Sequence, residues 1–284
     1  MHNVDKLNRI ILIKAGGTMI ALETLSVGYE SKRVIKDLNT TIKENKITCI
    51  IGPNGCGKST LLKAMTRVLK PDLGQVVLNG KDIHHIPSKE LAKKMAFLPQ
   101  SHDKVTGLSV YDLVSYGRYP YQKGFGRLTR EDYEKIDWAL EATGIASYKD
   151  MPLDALSGGQ KQRAWIAMAL VQDTKFILLD EPTTYLDIAH QLDTLELLKK
   201  LNKENNRTIV MVLHDINQAA YYADEIIAIK DGVITHQGDP YKVINKKSIE
   251  TVFNVSVDIM YEPKTQKPVI YNYKNLETEN NEKI

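Results

Sequence analysis

The chain is poor in cysteine and tryptophan, nowhere apolar for long, and weighted toward neither sign of charge. Its two cysteines, Cys49 and Cys56, stand among 284 residues. They exclude a disulfide-stapled fold, and with no histidines at matching spacing nearby they exclude a four-ligand zinc site. Both read as reduced thiols, and Cys56, inside a glycine-rich loop, is expected to be sensitive to alkylation. No apolar run reaches the about 18 residues that a membrane-crossing helix needs. The sequence therefore predicts a cytosolic address, with any membrane association coming from a partner. The 38 basic and 35 acidic residues leave a net charge of +3 and are interspersed. A nucleic-acid binder shows a concentrated basic stripe instead, so no nucleic acid is expected as a partner.

What is present is the composition of a globular protein, 43% apolar and 26% charged. The length suits one large domain or a core with a lobe inserted into it. Residues 1–18 match neither a secretory signal nor the start of a folded pattern. Ala15-Gly16-Gly17 is what a purine-rich ribosome-binding site encodes when read in frame. Met19 is therefore expected to be the true start, and residues 1–18 an extension outside the fold. Short β-like runs then alternate with turns from Ala21 to Gly80, with Asn79-Gly80 as a hairpin signal. A mostly helical stretch, about 88–155, reads as an inserted lobe. Apolar strands and amphipathic helices alternate from Ser157 to Phe253, the pattern of a parallel sheet covered on both faces. The domain is expected over 19–272, with 273–284 as a disordered acidic tail.

Chemistry concentrates in two places. Gly52-Pro53-Asn54-Gly55-Cys56-Gly57-Lys58-Ser59 matches the phosphate-loop pattern at every fixed position, after a strand and before a helical stripe of Leu61, Leu62, Met65, Val68 and Leu69. Its glycines let backbone N–H groups turn around a phosphate, and the helix N-terminus faces the same anion. Lys58 would bridge the β- and γ-phosphates, Ser59 would ligate Mg²⁺, and Thr60 would reach toward the α-phosphate. In FILLDEP, four apolar residues carry Asp180 to the end of a strand, where ligands gather in parallel sheets. Asp180 is the expected Mg²⁺ carboxylate. Glu181 is placed to polarise the attacking water. An acidic pair after a strand is by itself as readily a helix cap. The fold class that follows is α/β: a P-loop NTPase core with a mostly parallel sheet, an N-terminal antiparallel β subdomain and an inserted α-helical lobe.

With LSGGQ at Leu156–Gln160, the chain resembles the nucleotide-binding subunits of ATP-binding-cassette (ABC) importers, from Met19 to about Val269. VSYGRYPYQKGFGRLTREDYEKIDWALEATGI, DEPTTYLDIAHQLDTLELL and VLHDINQA bring it nearest to cassettes serving importers of ferric siderophores, haem and cobalamin. The resemblance implies that Tyr29 stacks on adenine, although a lone tyrosine is otherwise more often core. It implies that Gln100 contacts Mg²⁺ and the attacking water, and that His214 holds the γ-phosphate and that water. Ser157, Gly158, Gly159 and Gln160 would bind ATP held by the opposite copy, making a head-to-tail dimer with two composite sites. Asp187 would communicate between them.

The implied function is ATP hydrolysis driving import of iron(III)-siderophore complexes, with ATP and Mg²⁺ as cofactors. Haem or cobalamin import would use the same engine. A soluble cassette acting on nucleic acid or ribosomes would carry a coiled-coil or zinc insertion, or a second fused cassette. The implied place is the cytoplasmic face of the membrane. Two polytopic permease subunits would dock near 101–127, served by an extracellular substrate-binding lipoprotein. Tyr111, Tyr116, Tyr119, Tyr121 and Phe125, punctuated by Arg118 and Arg127, suit such an interface. For the tyrosines at helical spacing, Tyr111 and Tyr116 among them, a satellite core of the lobe is the lesser alternative.

Overall fold

Residues 19–30, 32–100, 106–122 and 127–275 are described by a computed structural model. Strands β1 (Ile20–Tyr29), β2 (Lys32–Ile42) and β3 (Ile47–Ile51) lead into helix α1 (Lys58–Met65). Then follow β4 (Leu73–Leu78), β5 (Lys81–Asp82), α2 (Ser88–Ala92) and β6 (Met95–Leu98). Helices α3 (Val110–Tyr116), α4 (Arg130–Ala142) and α5 (Gly158–Leu170) precede β7 (Phe176–Asp180). The chain continues with α6 (Ile188–Asn205), β8 (Thr208–Val212), α7 (Ile216–Tyr222), β9 (Glu225–Lys230) and β10 (Val233–Gly238). It closes with α8 (Pro240–Val243), α9 (Lys246–Phe253) and a hairpin of β11 (Val255–Tyr261) and β12 (Pro268–Asn275).

The strands form a four-stranded antiparallel sheet, β2-β1-β4-β5, and a six-stranded sheet, β10-β9-β3-β8-β7-β6. The second is parallel except for β10. Side chains alternate across a strand, and both faces of this sheet are covered. Ile47, Cys49 and Ile51 of β3 enter one core with Ile209 and Met211 of β8; Ile50, Val210 and Val212 enter the other. That is why these strands read as continuous apolar runs. The first core is roofed by α5, α6 and α7, the second by α1 and the antiparallel sheet. Between β4 and β5, Asn79 (φ 52°) and Gly80 (φ 77°) supply the two left-handed positions of a tight hairpin.

A third core holds the lobe: Val110, Leu113 and Val114 of α3 pack with Ile136, Ala139 and Leu140 of α4 and Ala164 and Ala167 of α5. The expected lower boundary at 88 is wrong, because Met95–Leu98 pairs in parallel with Phe176–Leu179 as the edge of the core sheet. Four apolar residues are too short a run for periodicity to separate strand from helix. The upper boundary shifts as well, since α5 belongs to both the lobe and the main core. At the other end, β12 extends through Asn275, so 273–275 are strand rather than tail. Residues 1–18 and 276–284 lie outside the described residues.

Arg118 is structural. It is only 3% exposed; its Nε donates to Asp132 Oδ1 at 2.7 Å and its Nη1 to the Val171 carbonyl at 3.0 Å. Its guanidinium lies 3.9 Å from the centroid of the Tyr121 ring, whose hydroxyl donates to Gln172 O. Tyr111 packs on the lobe core. Tyr116 and Tyr119, at 56% and 66% exposure, face outward. Phe125 lies outside the described residues. Arg118→Met should leave the Asp132 carboxylate buried without its cation, and breaking such a pair costs about 3–5 kcal/mol. Urea unfolding checks this: the midpoint should fall while the slope stays unchanged.

Candidate active site

The loop after β3 needs glycine at two positions for steric reasons. Gly52 has φ 153°, and a Cβ there would sit 2.1 Å from the Ile229 carbonyl oxygen; at Gly57 (φ 109°) it would sit 2.6 Å from Ile35 Cδ1. Gly57 then caps α1 with no side-chain hydrogen bond. The amides of the first helical turn are thus left for a ligand, and a helix N-terminus favours an anion. Lys58 is buried beneath the loop, its Nζ donating to Gly52 O at 2.8 Å and Pro53 O at 2.9 Å.

β7 runs beside β8, and β8 beside β3, so the end of FILLDEP comes to the same rim as the loop. Ser59 Oγ donates to Asp180 Oδ1 at 3.0 Å. Asp180 is fully buried, and its Oδ2 has no hydrogen-bond partner. Burial pushes its carboxyl above the usual range, opposed by the Ser59 hydrogen bond and reinforced by the charge of Glu181. A buried carboxylate oxygen without a partner is costly. A divalent cation would satisfy it, and hydroxyl, carboxylate and amide oxygens are the donors that Mg²⁺ takes. Ser59, Asp180 and Gln100 fit that ion.

Glu181 is buried and left-handed (φ 54°). Its Oε1 lies 2.6 Å from His214 Nε2, and its Oε2 accepts from Thr184 Oγ1 at 3.3 Å. Asn54, Gly55, Lys58, Ser59, Thr60, Gln100, Glu181 and His214 line one cleft of about 400 Å³. Loop amides open to an anion, a buried lysine and a Glu–His pair therefore share one cavity, with the Asp180 carboxylate joined to its wall through Ser59; this is the equipment for transferring a phosphoryl group to water.

Gly57 lines this cleft too, whereas Tyr29, Cys56, Asp187 and the Ser157–Gln160 turn do not. Tyr29 ends β1, half-exposed, where the chain turns into β2. Ser157 caps α5 in a reciprocal box: its Oγ accepts from Gln160 N at 3.3 Å, and Gln160 Oε1 accepts from Ser157 N at 2.9 Å. Gly158 and Gly159 follow in the first turn, whose amides have no carbonyl within the helix to meet. Asp187 caps α6, accepting from His190 N at 2.9 Å and meeting His190 Nδ1 at 2.7 Å. Cys56 departs from expectation. It is 6% exposed, and burial raises its thiol pKa more than nearby Lys58 lowers it. Alkylation acts through the thiolate, so burial and the raised pKa both work against it.

Sequence reasoning missed two neighbours of Glu181, Thr184 and Gln162. Gln162 donates from Nε2 to Pro182 O at 3.2 Å. Its signal was a polar residue on the buried stripe of Ile166, Ala169 and Leu170, at helical spacing.

The family described as ABC transporter matches residues 35–184. The iron(3+)-hydroxamate import ATP-binding protein FhuC of Bacillus subtilis (strain 168) is 51% identical over 260 residues, 92% of this chain and 97% of the relative. The ferric enterobactin transport ATP-binding protein FepC of Escherichia coli (strain K12) is 45% identical over 248 residues, 87% of this chain and 92% of that one. A bacterial ABC transporter cassette solved as a dimer, MJ0796, superposes with a TM-score of 0.70 at 31% identity, covering 78% of this chain and 98% of the other. No helix among the described residues is long and apolar enough to cross a membrane. The chain belongs to the ABC transporter family, as one of its ATP-hydrolysing subunits.

Proposed function

We propose that two copies of this chain, on the cytoplasmic face of the membrane, hydrolyse ATP to drive import of iron(III)-siderophore complexes. The observation that carries the catalytic half is the Glu181–His214 pair at 2.6 Å, opening onto the cleft that Lys58 and Ser59 line. The cargo is supported by relatives named for iron(3+)-hydroxamate and ferric enterobactin transport.

In this reading the loop amides and Lys58 hold the β- and γ-phosphates, and Tyr29 stacks on the adenine. Glu181 takes the proton of the attacking water while His214 orients that water and the γ-phosphate. Mg²⁺, held by Ser59, Asp180 and Gln100, supplies positive charge against the phosphate oxygens. Ser157, Gly158, Gly159 and Gln160 of each copy close over the nucleotide of the other, head to tail, and Asp187 lies between the two sites. Closing and reopening moves two permease subunits that dock near 101–127, where Tyr116 and Tyr119 supply exposed aromatic surface. An extracellular binding lipoprotein delivers the cargo to them.

The test is uptake of ⁵⁵Fe-labelled hydroxamate siderophore by cells lacking the gene. Wild type should restore uptake and Ser157→Arg should not, because arginine removes the cap and obstructs the face that closes on the partner's ATP. The purified Ser157→Arg monomer should still bind ATP near the wild-type affinity; lost cap energy is only about 1 kcal/mol. Restored uptake of haem or cobalamin, with none of the siderophore, would overturn the cargo assignment.

A further inference from the structure

We propose that Gln162 is a positioning residue for hydrolysis, tying the helix that begins at Ser157–Gly159 to the loop that carries Glu181 in the same chain. The inference rests on Glu181 being the carboxylate that takes the proton from water.

Gln162 lies in the second turn of α5 and is 4% exposed. Burying a side-chain amide is unfavourable unless it is hydrogen-bonded, and its bond goes to the Pro182 carbonyl, one residue beyond Glu181. Glu181 needs such support. Its φ of 54° and that of Tyr185, 66°, are left-handed positions for residues with a Cβ, each a strain held only by its surroundings. Within the loop, Thr184 N donates to Glu181 O at 3.2 Å and Leu186 N to Thr183 O at 3.3 Å. Pro182 has no N–H to donate. Its carbonyl is the backbone handle beside Glu181, and Gln162 holds it.

The far end of the loop is held in the same way. Gln191 Nε2 of α6 donates to Leu186 O at 3.0 Å, and Gln191 Oε1 accepts from Gln218 Nε2 at 2.9 Å, on the helix that follows His214. The start of α5 also packs on this loop: a Cβ on Gly159 would lie 3.4 Å from Tyr185 O and 3.5 Å from Leu186 Cδ2. The first turns of α5 and the loop from Glu181 to Asp187 thus form one mechanical unit. A displacement of α5 as Ser157–Gly159 meets the partner's nucleotide reaches Glu181 through Gln162, so each copy's own carboxylate is aligned by contact with the nucleotide of the other.

The experiment compares steady-state hydrolysis by Gln162→Met, which keeps length and removes the donor, with wild type. A misplaced catalytic group costs up to about 10²-fold, so kcat should fall about 10- to 100-fold with KM for ATP within about twofold. In a Glu181→Gln background the same substitution should cost nothing further, and ATP-driven dimerisation should be unchanged. Gln162→Glu gives a readout that packing alone would not move. A buried carboxyl has a raised pKa, and once protonated it donates to Pro182 O. Its kcat relative to wild type should therefore rise as the pH is lowered from about 8 to about 6. Wild-type kcat in Gln162→Met, parallel losses in kcat and ATP affinity, or a flat relative profile for Gln162→Glu would each overturn the proposal. A Glu181→Gln protein that still turns over would instead remove the assignment beneath it, so the two failures are distinct.

Discussion

Purified Glu181→Gln protein is expected to bind MgATP, dimerise, and stall with both nucleotides intact. Glutamine keeps the volume and reach of a side chain that sits 2.6 Å from His214 Nε2 and accepts from Thr184 Oγ1, so the cleft should survive. What is lost is the ability to take a proton, a loss of about 10²–10⁴-fold in rate for a general base. Removing the carboxylate charge also relieves repulsion against the γ-phosphate, so the closed dimer should be more stable than in wild type. Asp180→Asn should behave differently. Asp180 Oδ2 is the buried oxygen without a partner, and losing its charge should weaken Mg²⁺ binding and closure together. Size-exclusion chromatography in MgATP, paired with phosphate-release rates, separates the two. A Glu181→Gln protein that stays monomeric, or turns over within about tenfold of wild type, would move the base elsewhere.

Lys58→Ala should lose ATP binding and hydrolysis at once. The ammonium both meets the phosphates and holds Gly52 O and Pro53 O, which become unpaired when it is removed. A charge-assisted hydrogen bond is worth about 1.5–3 kcal/mol, and 1.4 kcal/mol is a factor of ten in affinity. With two functions lost, the Kd for a fluorescent ATP analogue should weaken about 10²-fold or more. The fold should persist, because α1 is fixed by Leu61, Leu62 and Met65 in the core rather than by the loop. Unaltered nucleotide affinity in a folded Lys58→Ala protein would show that the loop is not the phosphate site.

Gly52–Thr60, Asp180 and Glu181 were legible because their chemistry is local. A loop that must pass Gly52 against Ile229 tolerates no other residue, and that requirement is written in sequence order. The start of α4 is equally local, since Thr129 and Asp132, three residues apart, cap it reciprocally. His214, far along the chain, was in reach through the family resemblance, because a lone histidine after an apolar strand is by itself as readily structural. The β11–β12 hairpin went unread, although Val255, Val257 and Ile259 alternate as a strand should, because one face of a two-stranded sheet gives a weak signal.

Where distant segments meet was decided by tertiary structure alone. Met95–Leu98 is a strand because Phe176–Leu179 lies beside it, and nothing in those four residues says so. Arg118 and Arg127 look alike in sequence, yet Arg118 is buried because Asp132 and the Val171 carbonyl surround it, while Arg127 is exposed. Gln162 reaches Pro182 across twenty residues of sequence. The sequence by itself determined the phosphate loop, the acidic strand end and the signature at Leu156–Gln160, since each requires particular side chains at short fixed spacing. The tertiary structure decided which polar groups are buried and what they face, because burial and hydrogen-bond partners belong to the packed chain and not to any one segment of it.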